Sequence, residues 1–230
     1  MAFSVGEELK YNAYYNLGKI WIKAGEASFS VDEKDGNYLF SGGTQNLPGW
    51  DWLYLLRTTH EASMTKQFQP LYLKVITIEN KKRTDEKYIY NGNTVHKHLV
   101  SNDYPQGKDT VYTVRPCSWD IINVVYIVRN LNLKNAKQGE TIPLFVNLED
   151  STNTIYGKVL GKETIKNREG KVFNCLKFSA SVIYRTIILA DKPVNVWITD
   201  DDFRIPVLIE FKVAVGYVKV FLHSYKIQNS

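Results

Sequence analysis

The chain has 230 residues, 44% of them hydrophobic, including 15 Tyr, 10 Phe and 5 Trp. That is enough apolar material for a real core and excludes intrinsic disorder, while the aromatic content favours pleated, half-buried β structure. The net charge of +5 is diluted along the chain among acids, with Lys81-Lys82-Arg83 as its densest cluster, so a nucleic-acid-binding surface is not expected.

Leu9, Tyr11, Ala13, Tyr15 and Leu17 alternate with polar residues and predict a half-buried first strand. Gly18 allows a turn, and Ile20 to Val31 carries a second strand with Gly25 at a bulge or close approach. Asp35-Gly36-Asn37 supplies the positive φ of a hairpin turn, and Tyr38 to Leu47 returns as the third strand. Pro48-Gly49 then breaks the pattern. Trp50, Trp52, Leu53, Leu55 and Leu56 are too densely apolar for a solvent loop and predict one or two helical turns.

Four strands follow, Thr58 to Phe68, Leu71 to Asn80, Glu86 to Asn91 and Thr94 to Val100. They are separated by Gln69-Pro70, a basic turn from Lys81 to Asp85, and Asn91-Gly92-Asn93. Thr110 to Val114 reads as a short edge strand. The main helix is Ser118 to Asn130, with Ser118 as its cap and Ile121, Val124, Val125, Val128 and Leu131 at helical spacing. Strands resume over Glu140 to Leu148, Thr152 to Lys166 and Lys171 to Tyr184, with a turn at Glu169-Gly170. Val194 to Tyr225 closes the chain as strand, acidic corner Asp200-Asp201-Asp202, and then two strands or one long strand kinked at Gly216.

About a dozen strands and one good helix predict an all-β fold. So many antiparallel strands must curl, close or split, which predicts a large, incompletely closed β-barrel or a curved double sheet. The helix would lodge in or across its mouth. Nothing reads as a linker, so one domain over residues 1–230 is expected. No apolar window reaches the length of a transmembrane helix. Phe3 and Gly6-Glu7-Glu8 read as folded sequence, not as a signal peptide. Cys117 and Cys175 form no disulfide framework; free thiols are the favoured state, with pairing the alternative.

Chemical signatures are sparse. His96 and His98 share a strand face, but no further ligand completes a zinc site, and the acidic corner lacks the spacing of a calcium loop. No nucleophile elbow, zincin motif or nucleotide-binding glycine loop occurs, so neither cofactor nor catalytic residue is assigned. Arg204 is expected to fork onto Asp200 or Asp202, and Arg115 and Asp120 to bracket the helix start. Trp197, Asp200, Arg204 and Pro206 therefore read as a structural signature. Trp50, Trp52, Trp119, Ile122 and Tyr126 lie in the helical segments and are the candidate ligand-binding residues, since an open barrel with a helical lid can admit an apolar ligand.

Several separated pieces also carry a resemblance. They are Phe3 with Gly6-Glu7, Leu9 and Tyr11; Gly25; Pro70 and Ile78-Glu79; Asp120, Tyr126 and Arg129 in the helix; and Trp197, Asp200, Arg204, Pro206 and Val207, followed by Gly216 and Leu222. In this order they resemble a bacterial exported-protein family, domain of unknown function 3108. The resemblance implies an antiparallel barrel or half-barrel, reminiscent of periplasmic lipoprotein and lipid carriers. It also implies an envelope location reached with a leader peptide that these first residues do not display, and it transfers no activity. Three functions are expected in order. The first is a non-catalytic envelope protein holding a lipid or acyl chain in a groove beside the helix. The second is a structural or partner-binding module with a filled barrel. The third is a glycan- or cell-wall-acting enzyme using Glu79, Asp200 and Asp202.

Overall fold

The computed structural model describes residues 1–17, 20–52, 54–133, 135–148, 150–180, 193–213 and 216–228. The first eight strands are β1 (Glu8–Leu17), β2 (Ile20–Lys34), β3 (Asn37–Asn46), β4 (Leu56–Met64), β5 (Pro70–Glu79), β6 (Lys82–Asn91), β7 (Thr94–Ser101) and β8 (Lys108–Thr113). After helix α1 (Ile121–Asn130) come β9 (Thr141–Leu148), β10 (Ser151–Lys166), β11 (Val172–Ala180), β12 (Val194–Thr199), β13 (Pro206–Lys212) and β14 (Tyr217–Lys226). All fourteen form one antiparallel sheet, ordered β8-β7-β6-β5-β4-β3-β2-β1-β14-β13-β12-β11-β10-β9. The fold is therefore all-β and incompletely closed, a single curved sheet instead of two. The turn expected at Gly18, the apolar position Leu53 and the end of the strand expected to reach Tyr184 lie outside the described residues.

The sheet's two ends, β8 and β9, share no ladder. The chain between β8 and α1 spans part of that seam. Trp119 N donates to the Phe145 carbonyl at 3.0 Å, and the Trp119 carbonyl accepts from Asn147 N at 2.8 Å, a parallel bridge onto β9. Arg115 N donates to Thr152 Oγ1 at 2.9 Å, and Lys97 on β7 reaches Asp150 in the β9–β10 turn at 3.1 Å. Such scattered bonds are what an unclosed barrel offers in place of a continuous ladder.

Local chemistry explains most boundaries. Asp35 and Gly36, with φ of 51° and 75°, make the two-residue turn between β2 and β3. Asn80, at φ 54°, does the same between β5 and β6, so Glu79 pairs directly with Lys82 and the basic stretch is mostly strand. The expected loop from Lys81 to Asp85 shrinks accordingly. The expected helical turns after Pro48 reduce to a single 3-10 turn, Pro48–Trp50. The helix starts later than Ser118, because the Asp120 carboxylate, not Ser118, accepts from Ile122 N and Asn123 N. Ser118 Oγ instead donates to the Arg115 carbonyl, while the Arg115 guanidinium stacks over Phe145.

The acidic corner also closes differently from the expected Arg204 fork. Asp201 Oδ1 accepts from the Thr199 hydroxyl, Phe203 N and Arg204 N, and Asp200 pairs with Lys162. Arg204 Nη1 donates to the Arg129 and Leu131 carbonyls at 2.7 Å each, capping the helix C-terminus. Gly216 separates β13 from β14 as two strands. Its φ is 85°, and a Cβ there would stand 2.8 Å from the Asn16 carbonyl. Gly216→Val is expected to cost about 1–3 kcal/mol in urea unfolding.

Candidate functional site

Residues opposite one another in an antiparallel pair share a face. On the concave face, Val31 pairs with Phe40, Phe40 with Ala62, and Tyr38 with Met64. These residues meet Phe3, Ile122, Tyr126 and Ile127 in the largest core cluster. Tyr126 stacks on Phe40 with centroids 4.1 Å apart. The end of the half-barrel that holds α1 is thus filled by side chains.

At this packed end lies a buried ion pair. Arg129 Nη1 and Nη2 donate to the two Glu7 carboxylate oxygens at 2.6 and 2.7 Å, with Arg129 1% and Glu7 0% exposed. Arg129 also donates to the Ala2 and Phe203 carbonyls, and the Tyr11 hydroxyl donates to the Pro206 carbonyl. Burial pushes the Tyr11 phenol above its ordinary range. The network ties the first residues, the helix end and the corner before β13 into one knot, out of reach of solvent. Its role is structural: a fully bonded bidentate pair has no capacity left for a ligand.

The opposite end of the same strands is different. There an open 520 Å3 cavity lies on the concave face, within the ~300–1,000 Å3 of small-molecule sites. Tyr15, Trp50, Leu56, Phe211, Val218 and Val220 make its apolar wall, over a floor that includes Ala13 and Ala27. Register explains the grouping, since Tyr15 pairs with Val218, Val218 with Phe211, and Ala13 with Val220. The small floor residues leave the space open, and Gly25 lets β3 approach closely, a Cβ there standing only 2.7 Å from the Gln45 carbonyl.

Several polar groups of this wall are already bonded to protein partners, while Glu26 and Gln45 lie at its margin. Asn46 Nδ2 donates to Asp51 and to the Tyr54 carbonyl, while its Oδ1 accepts from Leu56 N. Trp50 Nε1 donates to the Lys23 carbonyl, and the Thr44 and Thr58 hydroxyls bond each other at 2.7 Å. The Tyr54 hydroxyl donates to Glu79, and burial together with that carboxylate pushes its phenol up to about 12. Deeper along β4, His60 Nε2 bonds Thr58 Oγ1, and its buried Nδ1 has no protein partner. Burial holds that imidazole below the ordinary histidine range, so it is neutral at pH 7.

The sequence-derived candidates are dispersed by the fold. Trp50 lines the apolar cavity. Trp52 stands outside it, 82% exposed. Ile122 and Tyr126 lie in the packed core. Trp119, its indole donating to the Phe68 carbonyl, borders a separate 590 Å3 cleft of mixed polarity beside the helix. The acids do not converge either: Glu79 ends β5, whereas Asp200 pairs with Lys162 of β10. Among the described residues no group of three His, Cys, Asp or Glu side chains is placed to hold a metal. Cys117 is exposed and Cys175 buried, both as free thiols. Sequence reading missed Tyr15, Leu56, Phe211, Val218 and Val220. Strand alternation places each on a face, but only the register shows that they share one end.

A seam cluster completes the interior. Lys97 Nζ lies 3.1 Å from both Glu86 and Asp150, and the Tyr88 hydroxyl donates to Glu86. Burial works against the lysine's charge, but the bonds to Asp150 and Glu86 prevail and hold it above the usual lysine range.

Comparison with solved structures shows the same architecture elsewhere. A β-barrel-like protein of domain of unknown function DUF1849 from Brucella abortus superposes with a TM-score of 0.60 over 99% of each chain at 9% identity. That likeness is one of fold alone. An exported protein with a YmcC-like fold from Bacteroides fragilis (TM-score 0.38, 10% identity, 97% of each chain) superposes too loosely to add to it. The same holds for a chain from Parabacteroides distasonis described as a lipoprotein (0.35, 11%, 98% of each). Comparison with curated protein sequences finds no match. No helix among the described residues is long and apolar enough to cross a membrane. The model of one family, described as "Protein of unknown function (DUF3108)", matches residues 10–223, and the chain belongs to that family.

Proposed function

We propose that the protein is a non-catalytic, exported cell-envelope protein, periplasmic and acting as one domain over residues 1–230, that holds a lipid or acyl chain in the cavity beside Trp50. One observation supports the reading: a predominantly apolar wall whose Asn46, Trp50 and Tyr54 polar atoms are already bonded to protein partners. Such a wall favours an apolar ligand, since each methylene it takes out of water gains ~0.8 kcal/mol. Trp50 and its neighbours Tyr15, Leu56, Phe211, Val218 and Val220 are the proposed contacts.

Native mass spectrometry after mild purification is expected to find bound lipid, and a fluorescent fatty acid to titrate and be displaced by an unlabelled one. Ala13→Phe, which fills the floor, is expected to weaken that titration on the order of tenfold or more, the equivalent of two lost methylene contacts. Absence of both bound lipid and competition would sink the reading. Partner binding is the second reading, and the outer edge of β8, which pairs with no further strand among the described residues, favours it. A stable partner recovered from envelope extracts, with no lipid bound, would select it.

A further inference from the structure

The end of the half-barrel that opens the cavity carries an unusual surface. Trp52, two residues beyond the cavity wall, is 82% exposed, the most exposed large hydrophobic among the described residues. Ile20, the first residue of β2, is 64% exposed, and Tyr217, the first of β14, is 44% exposed. Register sets all three at one end of the sheet, since Ile20 opens β2, Trp52 precedes β4 and Tyr217 opens β14. Tyr104, 42% exposed in the β7–β8 turn, lies along the same end, whereas Met1 and Val172 lie at the opposite end of the sheet. Trp50 holds its turn to β2 through the Lys23 carbonyl, and Asn80 N holds the β5–β6 turn to the Leu55 carbonyl.

Charge at this end is biased. Glu26, Asp51 and Glu210 are paired with Lys23, Arg57 and Lys219, and Glu79 accepts from Tyr54. Lys81 and Lys82 are exposed in and beside the β5–β6 turn and have no acidic partner among the described residues. Lys212 has none either, and its ammonium lies 6.0 Å from the Tyr217 ring. Glu79, bonded by a neutral phenol and opposite Lys82, and exposed Asp103 in the β7–β8 turn offset part of this charge, so the end keeps a modest cationic excess and is studded with Trp, Tyr and Ile. Aromatic side chains with an apolar body and a polar tip settle at the headgroup level of bilayers, and unpaired lysines add attraction to anionic lipid.

We propose that this end docks on an anionic lipid bilayer, with Trp52 and Ile20 entering the interface and Lys81, Lys82 and Lys212 facing the headgroups. The inference rests on the reading of the cavity as a hydrocarbon site, since docking would bring its opening against the source of that hydrocarbon. A second copy of the chain is the poorer occupant, because a two-fold contact through this end would set like charges against one another.

The test is co-sedimentation of the full chain with vesicles of phosphatidylcholine alone, or of phosphatidylcholine and phosphatidylglycerol in equal parts. Binding is expected only to the anionic vesicles, with release by salt. Trp52→Ala and the pair Lys81→Glu/Lys82→Glu are each expected to weaken it on the order of tenfold. Neither should alter the melting temperature or the fatty-acid titration, because none of these residues lines the cavity. Vesicle binding that is absent, or insensitive to both variants, would overturn the proposal while leaving the cavity reading intact. A dimer in light scattering that Trp52→Ala abolishes would assign the surface to a second copy and overturn it equally. Vesicle binding that persists with no fatty-acid uptake would uphold docking and remove the cavity reading.

Discussion

Arg129→Ala is expected to destabilise the protein by about 3–5 kcal/mol, the cost of leaving a carboxylate buried without its partner. Glu7 is wholly enclosed, and both of its oxygens accept from the Arg129 guanidinium. No water reaches it to take over the bonds. The truncation also removes the donor to the Ala2 and Phe203 carbonyls, so the chain start and the corner before β13 loosen together. Arg129→Lys should recover only part of the loss, since an ammonium cannot match the two-oxygen fork. The joint change Glu7→Leu with Arg129→Met should be milder than Arg129→Ala alone, because it removes both buried charges at once. Urea unfolding followed by tryptophan fluorescence reads all three. A loss below about 1 kcal/mol for Arg129→Ala would mean that the pair is solvated, as exposed pairs are.

The second large effect belongs to Asp120. Its carboxylate caps α1 through Ile122 N and Asn123 N and accepts from Asn123 Nδ2 at 2.6 Å. Asp120→Ala is expected to cost about 2–4 kcal/mol, a lost cap plus a buried amide left unpaired. Its pH dependence runs opposite to that of an ordinary paired carboxylate. Burial pushes Asp120 up to about 6, and the bonds from Asn123 and Ile122 only partly counter it. The folded protein thus holds this proton more tightly than the unfolded chain, whose aspartates titrate near ~3.9. The resulting stabilisation is present in full below pH ~4 and is lost as pH rises through about 6. Asp120→Asn keeps a capping oxygen but cannot titrate. The stability of the native protein relative to Asp120→Asn should therefore fall by about 2–3 kcal/mol between pH 4 and 7. A difference that grows with pH would contradict the burial argument.

Both effects concern residues that stood out in the sequence for other reasons. Asp120, Tyr126 and Arg129 carried the family resemblance, as did Gly6-Glu7, Tyr11, Arg204 and Pro206. The fold gathers all of these except Asp120 around one buried network; Asp120 stands at the opposite end of α1 and caps its start. Arg204 shows why its partner was not legible. Three aspartates adjacent in sequence suggest a local ion pair, yet its Nη1 bonds two helix carbonyls more than seventy residues away. Ser118 was a reasonable cap by residue type. It lost that role because Trp119 is engaged in a parallel bridge with Val146, which holds the chain extended until Asp120.

Strand alternation, hairpin turns such as Asp35-Gly36 and the helical spacing after Asp120 are local properties, set by side-chain direction and by which residues tolerate positive φ. They were enough to specify an all-β chain with one helix and too many strands for a flat sheet. Closure, and the choice of which end to fill, depend instead on register between distant strands. The pairing of β1 with β14 joins the two ends of the chain, and no local pattern encodes it. That pairing puts Tyr15 beside Val218 and leaves the cavity next to Trp50, while α1 with Tyr126 and Arg129 plugs the other end. Trp50 and Trp52 look equivalent in sequence. Only the tertiary structure separates them, because a single 3-10 turn points one indole at the Lys23 carbonyl and leaves the other in solvent.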